Sequence, residues 1–294
     1  MSDNAPMISF EKAKIYADMI KLAHTLFALP LALSAVALAL SDGGSVSAWT
    51  CFWILAAFTA ARSGAMGFNR IVDADIDAQN PRTKSRPTVS GALPMRDAKI
   101  WTSVSVLLFV FSAFMINSLC GILAFPALAV LLGYSYAKRF TCLAHYILGC
   151  ALALAPIGAW IAVTGGFDAR ILLLGGFIFF SIAGFDQIYA LQDLDFDVAH
   201  RLHSIPSRFG KNAALAFAGL SFCAAEIMLV LTGLAFALNA AYYACIGVIA
   251  AIYIAGFSII IKSGLKKINL VFFYMNASIS ILVFVATLLN VKIS

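Results

Sequence analysis

The chain has 294 residues, of which 62% are hydrophobic and 12% charged, with a mean hydropathy of +0.94. A soluble domain is about half apolar and about a quarter charged, so this chain has too few charges to cover a water-soluble globule. The formal net charge of +6 is therefore read by its placement along a membrane protein and not as attraction to nucleic acid, and no ~10-residue alternating segments mark an outer-membrane barrel.

In chain order, the polar start 1–16 lacks the apolar core of a cleavable signal peptide. Apolar runs of about 20 residues, the length that crosses a bilayer as helix, then lie near 22–40, 49–70, 100–117, 119–137, 143–164, 170–191, 213–231, 236–261 and 268–290. Asn117-Ser118 divides the third from the fourth. The expectation is an all-α, polytopic membrane protein of nine transmembrane helices, forming one integral-membrane unit over 1–294. Six cysteines are scattered through apolar segments without CxxC pairs and read as small buried hydrophobes, and the four histidines form no metal-ligand pattern.

The basic residues orient this bundle. With the N-terminus cytoplasmic, the inner side carries Lys12, Lys14, Lys21, Arg70, Arg82, Lys84, Arg86, Arg96, Lys99, Lys138, Arg139, Arg201, Arg208, Lys211, Lys262, Lys266 and Lys267. Only Arg170 and Lys292 fall outside, and Arg62 lies within the second span. That asymmetry is what the positive-inside rule requires. It places the N-terminus inside and the C-terminus outside, with a bacterial inner membrane as the expected location. The two large inner segments, about 70–99 and 191–212, are where function is expected.

Half of the chain's 14 acidic residues fall in two clusters. One runs from Asn69 through Asp73 and Asp75 to Asp77; the other runs from Asp186 and Tyr189 through Asp193 and Asp195 to Asp197. At helical spacing Asn69, Asp73 and Asp77 share a face, as do Tyr189, Asp193 and Asp197, while Asp75 and Asp195 point elsewhere. Stacked like charges are unfavourable unless a cation sits between them. Hard oxygen ligands aimed into one cavity suit Mg²⁺, which keeps waters and is shared with substrate phosphates. Helix-end solvation explains one such cluster readily, and two on helices of the same orientation much less well.

Each cluster is followed by a basic tail, Arg82 to Arg86 in one case and His203 to Arg208 in the other. Such tails suit a polyanion or an anionic lipid surface. Arg96, Lys99 and Lys211 fit the lipid role; Arg82, Arg86, Lys138 and Arg139 fit either. Arg62, inside a span, must face a polar cavity; it can neutralise Asp73 or pair with an acceptor's carboxylate. Two acidic sites, basic tails and an apolar bundle point to a diphosphate whose other half is a lipid.

These motifs, NxxxDxxxD with RTxxRP and YxxxDxxxD with HSIPxRFG, resemble the UbiA superfamily of intramembrane aromatic prenyltransferases. The stretch Tyr136 to Thr141 and the first span with His24, Phe27 and Pro30 are similar as well. The resemblance implies nine helices around a central cavity opening sideways to lipid and capped by the two cytoplasmic segments. It also implies two Mg²⁺ ions, held by Asn69, Asp73 and Asp77 on one side and by Asp193 and Asp197 on the other. Diphosphate contacts would come from Arg82, Arg86, Lys138 and Tyr189. Arg62, from its own place within the span, is the candidate for the acceptor's acid group. Asp73, Asp193 and Arg62 are thereby the catalytic candidates. The substrates implied are a polyprenyl diphosphate and a hydroxylated aromatic acid of the 4-hydroxybenzoate type, used in making ubiquinone or menaquinone. Segments Ala153–Gly165 and Gly184–Gly210 are more similar to a sister group acting on 1,4-dihydroxy-6-naphthoate. A reading from another class, a transporter with an acid/base inner gate, predicts inverted repeats or broken helices at mid-bilayer.

Overall fold

In lipid every backbone N–H and C=O must find its partner within the protein, which leaves helices as the form these apolar runs can take. A computed structural model describes residues 10–21, 25–264 and 268–291, and among them there is no strand. His24, Lys266, Lys267 and Lys292 lie outside the described residues.

Helix α1 (Phe10–Met19) precedes α2 (Thr25–Ser41) and α3 (Ala48–Val72). Two short helices, α4 (Ala74–Gln79) and α5 (Pro87–Ser90), lead to α6 (Met95–Ile116) and α7 (Ser118–Gly133). A 3₁₀ turn over Tyr134–Arg139 links α7 to α8 (Ala144–Thr164). Helix α9 (Ile171–Ala190) continues through a second 3₁₀ turn, Leu191–Asp193, into α10 (Leu194–Ala199). Helices α11 (Ile205–Ala235), α12 (Ala240–Ser263) and α13 (Ile268–Leu288) complete the chain.

Eight helices among the described residues are long and apolar enough to cross a bilayer. The expected first span corresponds to α2, whose apolar stretch, Ala28–Ser41, is shorter. Eight such helices are thus counted among the described residues, and α2 stands as the shorter member of the expected set. Polar helix ends, which an apolar window does not register, also move several boundaries. Helix α6 begins at Met95, and α11 begins at Ile205, eight residues before the expected seventh span. The early start of α11 comes from a capping box in which Ser204 and Ser207 satisfy each other's backbone N–H, and the helix then kinks at Gly210, φ 82°. The division at Asn117 is a helix cap, its side chain accepting the N–H of Cys120 at 2.7 Å.

The helices close a ring around a central space. Helix α3 packs on α6, α8 on α9, α9 on α11, and α13 returns to α2 and α12, while α2 leans on α8. Amphipathic α1 lies against the end of this ring that carries the acidic segments, with Tyr16 stacked on Trp101 at 5.7 Å and Lys12 paired with Asp97 at 2.7 Å. At the other end Arg170 bridges Asp168 and Asp42, at 2.6 and 2.7 Å. Hydrogen bonds from Arg170 hold the Asp168 carboxyl below its usual range. None of the six cysteines is buried; Cys150 and Cys223 are exposed. The expectation of buried thiols is corrected, because in a bilayer the outward face is as apolar as the core and accepts the same side chains.

Helices α8 and α9 approach most closely at Gly149, where a Cβ would lie 2.3 Å from the Phe179 carbonyl oxygen. Backbone cannot move aside as a side chain can. Gly149→Ala is expected to force the two helices apart and cost about 1–3 kcal/mol, measured as a lower unfolding midpoint in detergent.

Candidate active site

Helix α3 does not run straight through the first acidic cluster. It ends at Val72, and Asp73 sits at the junction with α4, at φ −92° and ψ 5°. Successive i to i+4 backbone bonds nevertheless continue, Asp73 N–H to Asn69 O at 2.9 Å and Asp77 N–H to Asp73 O at 2.8 Å. The chain bends at Asp73 without losing its register, so Asn69, Asp73 and Asp77 stay in sequence along one side. Asn69 donates to Asp73 Oδ2 at 2.8 Å, Asp77 is buried, and Asp75 is exposed.

The second cluster repeats the device. Asp193 stands between the 3₁₀ turn and α10 at φ −105° and ψ 7°, with Asp193 and Asp197 buried and Asp195 exposed. The helix that carries each cluster is thus broken at its central aspartate. A short polar side chain at a helix junction competes for backbone hydrogen bonds and tolerates this bridge conformation.

Tertiary structure joins the clusters. Arg82, in the tail of the first, reaches Asp193 of the second with Nε at 2.8 Å and Nη2 at 2.5 Å, and Asn80 donates to the same carboxylate at 3.0 Å. Burial works against the Arg82 charge, yet its bonds to Asp193 hold the guanidinium above its ordinary value. Arg82 also lies 5.5 Å from the centre of the Tyr189 ring. Arg86 pairs with Asp77 at 2.5 Å. Lys138, on the 3₁₀ turn after α7, carries its charge among Asp186, Asp197, Asp193 and Asp73. Its neighbour Arg139 donates to the Val72 carbonyl at 2.6 Å, satisfying the end of α3, and lies 3.6 Å from Asp73. The second basic tail behaves differently: Ser204 Oγ donates to Asp197 at 3.2 Å, while Arg208 is exposed, with Cys142 as its polar contact. Arg96, Lys99 and Lys211 are exposed.

Above this inner layer lies a cavity of about 1140 Å³, walled by apolar residues of α2, α3, α6, α7, α8, α9 and α13. Along α8 its wall extends from Leu148 to Ala162, about 21 Å at 1.5 Å per residue. Arg82, Arg86, Tyr189 and Asp186 stand in its lining, and Arg62 with Arg70 enters from α3. One end is charged and the rest is greasy.

The donor set fits a divalent cation of the hard type. Among the described residues no three His, Cys, Asp or Glu side chains form a closed metal cage. Mg²⁺ does not need one, since it binds through one or two carboxylates and takes its remaining oxygens from water and substrate phosphate. Burial and the charge of Asp77 push the Asp73 carboxyl above its usual value, as expected of carboxylates gathered where a cation can relieve them. Asn69, Asp73 and Asp77 would hold one ion, and Asp193 and Asp197 another.

A model of the UbiA prenyltransferase family matches residues 28–279. The chain belongs to that family. It is 32% identical over 215 residues to a 4-hydroxybenzoate octaprenyltransferase of Xanthomonas campestris pv. campestris (strain B100), covering 73% of this chain and 71% of that one. It is 30% identical to the enzyme of the same name from Pseudomonas syringae pv. syringae (strain B728a), over 68% and 67%. A UbiA homolog from Aeropyrum pernix K1 in its apo form superposes with a TM-score of 0.83 at 29% identity, covering 92% of this chain and 99% of that one. A homolog from Archaeoglobus fulgidus bound to DMAPP and Mg²⁺ gives 0.69 at 21% identity, over 95% and 99%, and speaks to the fold alone.

In this UbiA-family prenyltransferase four further residues at the end that carries the acidic segments are not marked as site residues by their sequence context. Asn80 ties Asp193 to the first segment, and Arg70 joins the cavity wall while donating to Asn69 at 3.2 Å. Tyr134, one turn before Lys138, lines the cavity near Arg62 and Arg70. Its spacing from Lys138 was a usable signal. The fourth, His145, is fully buried and bonded to Asp186 at 2.7 Å; a lone histidine in an apolar run gives no such sign.

Proposed function

We propose that this enzyme transfers a polyprenyl group from polyprenyl diphosphate to a hydroxylated aromatic acid of the 4-hydroxybenzoate type, as a step in making a respiratory quinone. The observation that carries this reading is one cavity with three parts: Arg82 and Arg86 in its lining, each paired with an aspartate of the two clusters, a long apolar body, and Arg62 in its wall. The octaprenyltransferases that resemble the chain carry the same acceptor in their names.

Bound Mg²⁺ would neutralise the diphosphate and make it a better leaving group. The chain's own groups do the remainder. Arg82 and Arg86 offer planar donors suited to phosphate oxygens, and Lys138 adds a compact charge beside them. The apolar walls receive the prenyl tail and keep water from the allylic cation that forms as its bond to oxygen breaks. Arg62 pairs with the acceptor's carboxylate and so fixes which ring carbon faces that cation. The inner end faces the cytoplasm of a bacterial inner membrane, with the N-terminus inside and the C-terminus outside, on the distribution of Lys and Arg.

Two acceptors satisfy this chemistry, 4-hydroxybenzoate and 1,4-dihydroxy-6-naphthoate; the wording of Gly184–Gly210 favours the second. Purified protein in liposomes, given a long polyprenyl diphosphate and Mg²⁺, is offered each separately. Transfer to either supports the reading and its identity chooses the route. Absence of both transfer and diphosphate release would return weight to a transporter. In the same assay Arg62→Glu is expected to raise acceptor KM about 100-fold, the loss of a charge-assisted pair, while leaving donor KM within about threefold. Equal effects on both constants would remove Arg62 from the acceptor site.

A further inference from the structure

His145 and Asp186 stand outside both sets of proposed metal ligands. His145 lies in the first turn of α8 and has no solvent exposure. Its Nε2 accepts the backbone N–H of Ile205, the first residue of α11, at 3.3 Å. A ring nitrogen that accepts an N–H carries no proton, so in the neutral ring the proton sits on Nδ1. Nδ1 therefore donates to Asp186 Oδ2, at 2.7 Å. Asp186 thus accepts through Oδ2, and as a carboxylate it has only acceptor capacity.

Asp186 differs from a carboxylate sealed in a structural ion pair. It lines the cavity, and its side chain keeps 24% exposure where His145 has none. Among the described residues no hydrogen bond reaches its Oδ1. Lys138 is the cation beside it. The same cavity holds Arg62 on α3. A hydroxylated aromatic acid presents an anion at one end and a hydroxyl at the other, and the wall offers a cation for the first and a fixed proton acceptor for the second.

We infer that Asp186, oriented by His145, is the catalytic acceptor of the proton on the aromatic substrate's hydroxyl. This rests on the reading of the cavity given above. A phenolic hydroxyl ionises near pH 10 and the neutral ring is a weak nucleophile. As the ring carbon beside the hydroxyl bonds to the allylic carbon, the hydroxyl becomes strongly acidic and its proton passes to Asp186. The carbon–oxygen bond to diphosphate breaks, and diphosphate leaves with the electron pair. The neutral cyclohexadienone that results loses its ring proton to diphosphate, and Asp186 returns its own proton to the oxygen. The net change is one ring C–H replaced by C–C, with the proton on diphosphate. His145 keeps its Nδ1 proton throughout, because the Ile205 N–H occupies the other nitrogen; it is a positioning residue.

The test uses the full chain in liposomes, with Mg²⁺, a polyprenyl diphosphate and whichever of the two acceptors the wild type prenylates. Failure of the wild type with both acceptors would be a failure of the transfer reading itself. Given wild-type transfer, Asp186→Asn is expected to lower kcat about 100- to 1,000-fold, the span of a lost general base. Donor binding, followed by calorimetry, stays unchanged. A ring-fluorinated acceptor whose hydroxyl is already ionised at the assay pH narrows the deficit by about tenfold or more. His145→Ala lowers kcat with little change in donor KM, and His145→Asn, which keeps a donor near the Nδ1 position, recovers most of the loss. Wild-type kcat in Asp186→Asn, or an equal deficit with neutral and ionised acceptors, overturns the proposal. Should Asp186→Asn fail to fold, the His145 pair decides: equal kcat in the alanine and asparagine variants overturns it.

Discussion

Asp193→Ala is expected to reduce prenyl transfer by about 1,000-fold or more, with the helical content of the protein intact. Asp193 accepts from Arg82 Nε and Nη2 and from Asn80, so it is the point at which the segment after α3 is tied to the segment after α9. Its loss removes a proposed oxygen ligand for a divalent cation and also sets free the arginine proposed to meet the diphosphate. Removing a single preorganised electrostatic contact in an active site costs about 100- to 1,000-fold, and here two are lost together. Asp73→Ala should fall nearly as far, through loss of the proposed ligand alone. Asp195→Ala, changing an exposed carboxylate two residues away, should keep activity within about threefold, since surface charges contribute little. Product formation at saturating donor, with circular dichroism on each variant, provides the check. Activity in Asp193→Ala above about a tenth of wild type would contradict this account of its role.

Lys138→Met should destabilise the protein as well as inactivate it. The side chain length is kept and the charge is removed from among Asp73, Asp186, Asp193 and Asp197. Uncompensated charge left in a poorly solvated place costs about 3–5 kcal/mol. The lower end applies, because Lys138 is half-buried. The variant has a further signature. A divalent cation can replace the missing positive charge, so millimolar Mg²⁺ should raise the unfolding midpoint more in Lys138→Met than in wild type. Thermal unfolding with Mg²⁺ and with chelator measures both. An equal response would mean that the four carboxylates do not share one electrostatic site.

Much of this arrangement is legible in one dimension, for identifiable reasons. The spans are read from apolar runs because lipid leaves the backbone no other way to be satisfied. Asp73 and Asp193 are conspicuous because acids are scarce in a chain so apolar, and because each lies in a spaced series with its own tail. The bends at those two residues were not legible. Helical periodicity assumes a straight axis, whereas the conformation at a junction depends on what the next segment packs against. The cysteines were misplaced for a related reason: burial was inferred from apolarity, and a bilayer rewards apolarity on both faces of a helix.

What the sequence determined by itself is therefore the membrane setting, the asymmetry of charge, and the presence of two acidic clusters with basic tails. These are properties of local composition, which the solvent on each side of the membrane reads directly. Only the tertiary structure decided which basic group meets which acid. Arg82 crosses to Asp193 rather than to the nearer acids of its own cluster, whereas Arg86 turns back to Asp77. Likewise His145 becomes informative when α8, α9 and α11 bring it between Asp186 and the Ile205 N–H. Such pairings are set by helix packing between residues far apart in the chain, where side-chain spacing along any one segment carries no record of the partner.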